Sequence, residues 1–432
     1  MKFLNDKTFM LKISILTGGR LLGAFATFLS SLLIARYFGS DILGQYSIFL
    51  ALASVLAVIA AGGFPSIATV FTTSFISKNK YAEFKGFINI ATTQTIFFGS
   101  IIVLGFFFYN LFVDDRPFIY ALGISIILAT IIWTSFLCNF YGLILVGLEK
   151  QTHGLLPEIL FKPILFFTIM IAVALLGISI DTFSLLAILA FVFVITTLIL
   201  QRSFLKFTAD LLPSHANYDH KTQWRHAAYP WILTTIIWDF FVELHILMAG
   251  FLASSAEVAI LHIAFRFRML ASFGMRSVYM LYMPKIIAAN AKGDETEIYT
   301  LLSKLNRISI LYAVATIMFF AIFGNFLLSI FGEEFIRGWA LLMTVLSTIL
   351  IRAIMGPSNM ILSMKGFQKT SAVVMVGCLC ISIIMVYFLY PILGLLGIAI
   401  AYAVSNFVAS VTLWGCAIKF TKINSSILTF KL

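Results

Sequence analysis

The chain is dominated by hydrophobic segments of about 20 residues or more, separated by short polar turns. Of its 432 residues, 61% are hydrophobic and only 11% are charged, whereas soluble domains are roughly 45–50% apolar and about 25% charged. A helix of about 20 apolar residues crosses roughly 30 Å of hydrocarbon. Because lipid offers no hydrogen bonds to the backbone, spanning segments must be helices or closed barrels. The length of the segments predicts an all-α integral membrane protein.

Polar, glycine-containing and proline-containing turns delimit twelve predicted spans. They run over 12–36, 42–63, 84–112, 117–146, 155–178, 183–205, 229–252, 257–284, 305–331, 338–363, 370–390 and 394–418. If both termini are cytoplasmic, most of the 29 Lys and Arg residues fall in inside segments, and the outside segments hold Arg36, Arg116 and Arg337. Cytoplasmic loops carry such an excess of positive charge. The charge distribution therefore favours twelve spans with both termini inside.

A short pattern recurs in the two halves of the chain. The stretch 35–40 (ARYFGS) precedes 44–47 (GQYS), and the similar stretch 249–254 (AGFLAS) precedes 259–262 (AILH). Six spans are an even number, so both halves would enter the membrane in the same orientation, as in parallel transporter repeats. We therefore predict two six-helix lobes, residues 1–207 and 229–432, joined by a polar cytoplasmic linker at 208–228.

Several function classes lack their expected signals. The sequence contains no Walker A motif and no soluble nucleotide-binding domain, which argues against ATP-driven transport within this chain. Basic residues lie in short loops between spans, which argues against nucleic-acid binding. The linker histidines show no tight ligand spacing, so no metal site is expected. The predicted outside loops are short, which leaves little room for a catalytic loop, and we expect a transporter that is not an enzyme.

Two motifs in the first half resemble those of polysaccharide-biosynthesis flippases. The stretch 32–40 (LLIARYFGS) followed by 44–47 (GQYS) is similar to the end of the first span in that family, and 62–65 (GGFP) resembles the end of its second span. The family belongs to the multidrug/oligosaccharidyl-lipid/polysaccharide exporter superfamily. The resemblance implies two lobes around a central cavity and alternating access. It also implies movement of an undecaprenyl-diphosphate-linked oligosaccharide, for O-antigen or capsule, to the periplasmic leaflet of the bacterial inner membrane. A polysaccharide polymerase and a chain-length regulator are the implied protein partners.

Arginines predominate among the charges inside the predicted spans. A charge at mid-membrane costs roughly 2.5–3.5 kcal/mol on insertion scales, so each one is a candidate functional residue. A guanidinium matches phosphate oxygens in two-point contacts, and the resembled family uses cationic cavity residues. Arg266 and Arg268 are about 200° apart on a helix, so we expect only one of them to face a cavity. The candidate diphosphate-binding residues are Arg20, Arg266, Arg268, Arg276 and Arg352.

Two carboxylates lie deep in the predicted seventh span. Asp239 and Glu243 are four residues apart, which predicts one shared helix face. Two close carboxylates raise each other's pKa and could load and release a proton, so the pair is a candidate site for coupling to H⁺ or Na⁺. Pairing with the arginines of span 8 is the alternative. Glu158 and Lys162 have the same spacing at the start of span 5, where an interfacial ion pair or a cavity-mouth role is expected. No other cofactor is expected.

Two other functions compete with the flippase. A drug or cation antiporter of the same superfamily would favour an acidic cavity, whereas arginines outnumber acids in these spans. A polysaccharide polymerase would need a sizeable periplasmic loop, which the predicted topology lacks.

Overall fold

The computed structural model describes residues 7–427, and every regular element in that range is a helix. The chain divides into two compact units, one ending at Leu244 and the other beginning at His245. The helices of the first unit are α1 (Lys7–Leu33), α2 (Ser40–Ala61), α3 (Phe64–Ser77), α4 (Tyr81–Phe112), α5 (Phe118–Gly147), α6 (Gln151–Leu156), α7 (Lys162–Leu175), α8 (Thr182–Thr208), α9 (Lys221–Ala228) and α10 (Pro230–Asp239). A further helix, α11 (Phe241–Leu252), crosses the boundary. The second unit continues with α12 (Ser255–Lys292), α13 (Glu295–Ser329), α14 (Trp339–Met355), α15 (Ser358–Met364), α16 (Gln368–Leu393) and α17 (Leu395–Thr421).

The predicted all-α membrane class is confirmed. In the described part of the chain, 11 helices are long and apolar enough to cross a membrane, and the number rises to 12 if one bent pair counts as a single span. Predicted ends agree with the helices to within a few residues for most spans. The exceptions lie where backbone geometry interrupts or prolongs a helix without changing its hydropathy.

The two halves have one pair of corresponding helices of equal length and others that differ. Helices α8 and α17, the last of each half, both contain 27 residues. The first half splits what the second keeps whole: α2 and α3 are separated by Gly62 and Gly63, whereas α12 is one 38-residue helix. Both glycines adopt left-handed backbone conformations, with φ of 60° and 77°, which residues with a Cβ rarely adopt. The glycine pair therefore ends α2 at the position where α12 continues.

The predicted seventh span is broken. Helix α10 ends at Asp239, α11 begins at Phe241, and the segments on either side of the break differ in direction by 74°. Phe240 lies between them with φ −117° and ψ 22°. Neither Pro nor Gly is present at the break, so none of the usual kink-forming residues marked it in the sequence.

The core of the first unit is aromatic and includes part of the predicted linker. Phe75 and Phe87 pack against Trp224 of α9, with ring centroids 6.0 and 5.8 Å apart, and Trp224 is 2% exposed. The N–H of Asn217 donates to the carbonyl of Ala82 at 2.9 Å. The polar stretch at mid-chain is thus partly folded onto the first unit.

The second unit has a core at the C-terminal end of α12. Ile286, Leu302 and Ile361 are fully buried there together with Ile423, which follows α17. Just beyond, Ser425 is buried and its carbonyl accepts a 2.8 Å hydrogen bond from the Asn306 amide. The segment after α17 therefore folds back onto α13 and α15 of its own unit.

Candidate functional site

Arg20 lies on α1 beside the close contact of this helix with the start of the fifth predicted span. A Cβ placed on Gly23 would lie 1.8 Å from the carbonyl oxygen of Ile159, and one on Gly19 would lie 3.1 Å from Leu156 Cδ2. These glycines let α1 approach the π-helical turn Pro157–Phe161 at backbone distance, as small residues do in membrane helix pairs. The Arg20 side chain is exposed and forms no hydrogen bond or ion pair with any residue of the described range 7–427.

Glu158 and Lys162 form the ion pair that their spacing predicts. The Lys162 ammonium donates to Glu158 Oε1 at 3.3 Å, and both side chains are partly exposed. Lys162 also lies over the ring of Phe193, 4.4 Å from its centroid. The π-helical turn before it is closed by the N–H of Lys162, which donates to the carbonyl of Pro157. Such turns are rare and frequent at functional sites.

Arg266 lies near the end of the first third of α12 and contacts a histidine one turn earlier. Its Nε–H donates to His262 Nε2 at 3.0 Å. The Nη nitrogens donate to no residue in the part of the chain that the structure describes. The side chain is half-buried, whereas His262 is 7% exposed. Arg266 therefore retains most of its donors for a ligand.

Arg268 points to the opposite side of α12 and is held by its own unit. Its Nε–H donates to Thr348 Oγ1 on α14 at 2.9 Å, and its guanidinium lies 5.0 Å from the centroid of the Tyr402 ring on α17. A cation over an aromatic face is stabilised, more so when both are desolvated. The expectation that Arg266 and Arg268 face different environments agrees with these partners. Arg268 serves the packing of three helices.

Arg276 and Arg352 add positive charge near Arg268. Both act electrostatically on Arg268, and both side chains are exposed. Arg276 lies over the Phe273 ring at 5.9 Å. Arg352 is one turn after Thr348 on α14, and it forms no hydrogen bond or ion pair within the described range. Three arginines from two helices of the second unit therefore lie within electrostatic reach of one another.

The prediction that Asp239 and Glu243 share one helix face is wrong. Asp239 is the last residue of α10, whereas Glu243 lies in the first turn of α11. Because the helix breaks at Phe240 between them, the two side chains do not share a continuous helix face. Asp239 is exposed and Glu243 is half-buried. A carboxylate in the first turn of a helix is stabilised by the helix dipole. This stabilisation is a local structural reason for an acidic residue at position 243.

The structure also shows a buried polar contact that the sequence did not reveal. His245 Nε2 lies 2.7 Å from Ser382 Oγ, and both residues are completely buried. The ring of Tyr402 packs edge-on against His245 at 5.0 Å. Ser382 is 137 residues away along the chain, so no local spacing pointed to the pair.

Of the five candidate arginines, the first unit holds only Arg20, and the second unit holds the other four. Within residues 7–427, Arg20, Arg266, Arg268 and Arg352 form no ion pair with a carboxylate. The described residues contain no group of three His, Cys, Asp or Glu side chains that could hold a metal ion. Unneutralised guanidinium groups in membrane spans are suited to binding phosphate or carboxylate groups.

Neither a family model nor a curated protein sequence matches the chain, but solved structures resemble it. One is described as the inward-facing conformation of a multidrug resistance MATE family transporter of the MOP superfamily; it is 14% identical, with a TM-score of 0.70, over 97% of this chain and 100% of its own. Lipid II flippase MurJ in an inward closed conformation is 16% identical, with a TM-score of 0.73, over 95% of this chain and 87% of its own. A MOP superfamily transporter from Pyrococcus furiosus, for which reverse polarity of the binding pocket is described, is 15% identical, with a TM-score of 0.59, over 94% of both chains.

The similarity to these structures extends over nearly the whole chain, so it establishes the fold. The chain has the MOP superfamily fold. In this twelve-helix, two-lobe fold, α1 is the first span and α12 is the eighth. Solved structures of the MOP fold therefore include both a multidrug transporter and a lipid flippase.

Proposed function

We propose that this protein is a flippase that moves undecaprenyl-diphosphate-linked oligosaccharide repeat units across the bacterial inner membrane by alternating access. The observation that carries the proposal is that Arg20, Arg266 and Arg352 form no ion pair with a carboxylate of residues 7–427. A guanidinium without a carboxylate partner can donate hydrogen bonds to an anion from outside its own helix. The MOP fold supports transport or flipping in general, and the arginines supply the preference for an anionic lipid.

The chemistry of the cargo explains why arginine is needed. A lipid diphosphate must leave the headgroup layer, and its negative charges need new partners on the way. A guanidinium offers five donors in a planar fork and stays charged at any physiological pH. Bound phosphate oxygens in turn repay part of the cost of holding arginine in the membrane. A binding site for cationic drugs would instead need negatively charged residues.

The orientation follows from the loops. With both termini cytoplasmic, the basic loops face the cytoplasm, where repeat units are assembled on the lipid. Arg20 and Arg266 bind the diphosphate in this proposal, Arg276 and Arg352 extend the binding surface, and Arg268 holds the helices that carry it. The glycan feeds O-antigen, capsule or a related polymer, and a polymerase with its chain-length regulator would act on the exported units.

Coupling to an ion is proposed at the break in the seventh span. Asp239 ends one helix segment and Glu243 lies in the first turn of the next, so protonation of either alters the charge at the break. Glu158 and Lys162 form a polar pair beside α1, and we assign them to the mouth of the pathway.

A strain lacking the protein tests the proposal. Complete lipid-linked repeat units on the cytoplasmic leaflet, with loss of the surface glycan, are expected. Complementation with Arg20→Ala or Arg266→Ala at equal expression should fail, whereas Arg337→Ala, an exposed arginine in a turn, should restore export. Normal export with both span variants would refute the site assignment.

Other outcomes distinguish the other functions. A multidrug antiporter is the second candidate function, because the structure of a multidrug resistance MATE family transporter has a similar fold. Unchanged glycans together with increased drug sensitivity would establish that function. Single repeat units that reach the outside without polymerising would point to a polymerase.

A further inference from the structure

The contact between Arg266 and His262 fixes the protonation state of the histidine. An arginine Nε–H can only donate, so His262 Nε2, 3.0 Å away, must accept with its lone pair. A neutral imidazole has one donor and one acceptor nitrogen, whereas the protonated ring has two donors and no acceptor. The hydrogen bond therefore exists only while His262 is neutral.

We infer that His262 is a proton-binding site that controls the access of an anionic ligand to Arg266. While His262 is neutral, its ring occupies the Nε–H of Arg266 and restrains the guanidinium along the helix. A proton on Nε2 abolishes this acceptor and places a second positive charge beside the arginine. The guanidinium is then free to turn toward a phosphate with both its Nε and Nη donors, and the phosphate neutralises the repulsion. Proton uptake and anion binding thus favour each other. The inference rests on the proposed function, because it takes the diphosphate as the anion.

The position of the pair suits this role. Arg266 is the twelfth residue of the 38-residue helix α12, so it lies about 17 Å from the helix start at a rise of 1.5 Å per residue. If the hydrocarbon core of roughly 30 Å begins at the helix start, Arg266 lies near its middle. His262 is 7% exposed, and a histidine at this depth is a functional candidate because an ionisable side chain there is expensive.

Arg266 is the charged residue that contacts His262 directly. Helix α12 packs against α13, α14, α17 and the 3₁₀ turn Glu333–Gly338. The other charged groups of α12 are Glu257, which caps the start of the helix, Arg268 and Arg276, which belong to the arginine cluster, and Lys285 and Lys292 in the C-terminal part of the helix. The packed elements carry further titratable or charged side chains at Glu295, Glu297, Tyr299, Lys304, Arg307, Tyr312, Glu333, Glu334, Arg337, Arg352, Tyr402, Cys416 and Lys419.

Two substitutions of His262 fix its contact with Arg266 in one of two states, closed when the hydrogen bond is formed and open when it is absent. In His262→Gln the side-chain oxygen can accept from Arg266 at every pH, so the contact stays closed. In His262→Phe the ring keeps its approximate size but has no acceptor, so the contact stays open. Neither variant titrates at this position. His215→Gln, in the exposed polar stretch, is the matched control.

The test measures binding of undecaprenyl-diphosphate-linked N-acetylglucosamine to the purified full-length protein. Both phosphates of this diester keep one charge each between about pH 5.5 and pH 8, so a pH dependence of binding in this range comes from the protein and not from the ligand. We expect the wild type and His215→Gln to bind at least about fivefold more tightly at the acidic end, the lower range of typical coupling between sites. His262→Gln should bind weakly and His262→Phe tightly, both without pH dependence.

Three results would overturn the inference. Binding by the wild type that does not change with pH would refute the proton-controlled contact and leave the flippase intact. A pH dependence that persists in both His262 variants would place the titrating group elsewhere. An absence of wild-type binding at every pH would refute the flippase together with this inference. Thermal melting of each variant identifies any that fails to fold. If His262→Phe does not fold, the comparison of the wild type with His262→Gln still shows whether the pH dependence requires His262.

Discussion

Replacing Gly23 with alanine tests how closely α1 approaches the π-helical turn beside Arg20. The added Cβ would lie 1.8 Å from the carbonyl oxygen of Ile159 and 3.0 Å from its carbonyl carbon, whereas ordinary contact begins at 3.4 Å. Both atoms belong to the backbone and cannot rotate away. Helix α1 would have to move by about 1.5 Å, since packed interiors leave few voids that could absorb the change.

Gly18→Ala is the matched control on the same helix. A Cβ at Gly18 would meet nothing within 4 Å, so this variant should gain up to about 1 kcal/mol from helix propensity. Gly23→Ala receives the same gain but must also accommodate overpacking, which costs about 1–3 kcal/mol. We expect Gly23→Ala to be about 2 kcal/mol less stable than Gly18→Ala.

Thermal melting of both variants in the same detergent, followed by glycan export in cells, is the assay. Gly23→Ala should melt at a lower temperature and export less, because Arg20 lies within one turn of Gly23 and moves with α1. Equal melting and equal export for the two alanines would refute the close approach of α1 to the turn.

Three further predictions concern separate parts of the chain. Arg268→Met should lower the stability by about 1–3 kcal/mol in thermal melting, because it removes a hydrogen bond from a charged donor and a cation–π contact; unchanged melting would contradict a packing role. Asp181 caps α8 by accepting a hydrogen bond from the N–H of Ser184 at 3.0 Å. Its pKa is lowered from 3.8, first by hydrogen bonding with the Ser184 side chain and then by the hydrogen bond from the Ser184 N–H. Asp181→Ala should therefore lower the stability by about 1 kcal/mol at neutral pH. The charge-dependent part of this stabilisation is present above the ordinary pKa and disappears as the pH falls through the lower folded value. A stability difference between the wild type and Asp181→Ala that grows in acid would contradict this role. Asp239→Asn should preserve lipid-diphosphate binding and abolish the dependence of export on a proton or sodium gradient in vesicles; unaltered gradient dependence would exclude Asp239 as the coupling group.

Most of the fold could be predicted from the sequence because the bilayer leaves few alternatives. Hydropathy and loop charge placed the spans, and the glycine pair at 62 and 63 marked a real turn. The break at Phe240 was missed because no residue type there signals it, and hydropathy is the same for a straight and a bent helix. The carboxylate pair was consequently assigned a shared face that the helix break removes.

The candidate site was less predictable because partners come from distant parts of the chain. The charge of Arg268 was evident, but its partners Thr348 and Tyr402 lie on other helices. His262 appeared in the sequence only as part of a repeated pattern. Its spacing of four residues from Arg266 placed the two on one helix face, and this local signal could have identified the contact.

The most direct test of the central claim is translocation in proteoliposomes that contain only this protein and a fluorescent undecaprenyl-diphosphate oligosaccharide. Accessibility of the glycan to a membrane-impermeant degrading enzyme reports which leaflet it occupies. We predict rapid transfer between leaflets with the wild type, and transfer at the rate of protein-free liposomes with Arg20→Ala combined with Arg266→Ala. Transfer by the double variant at the wild-type rate, or none by the wild type, would contradict an arginine-dependent lipid flippase.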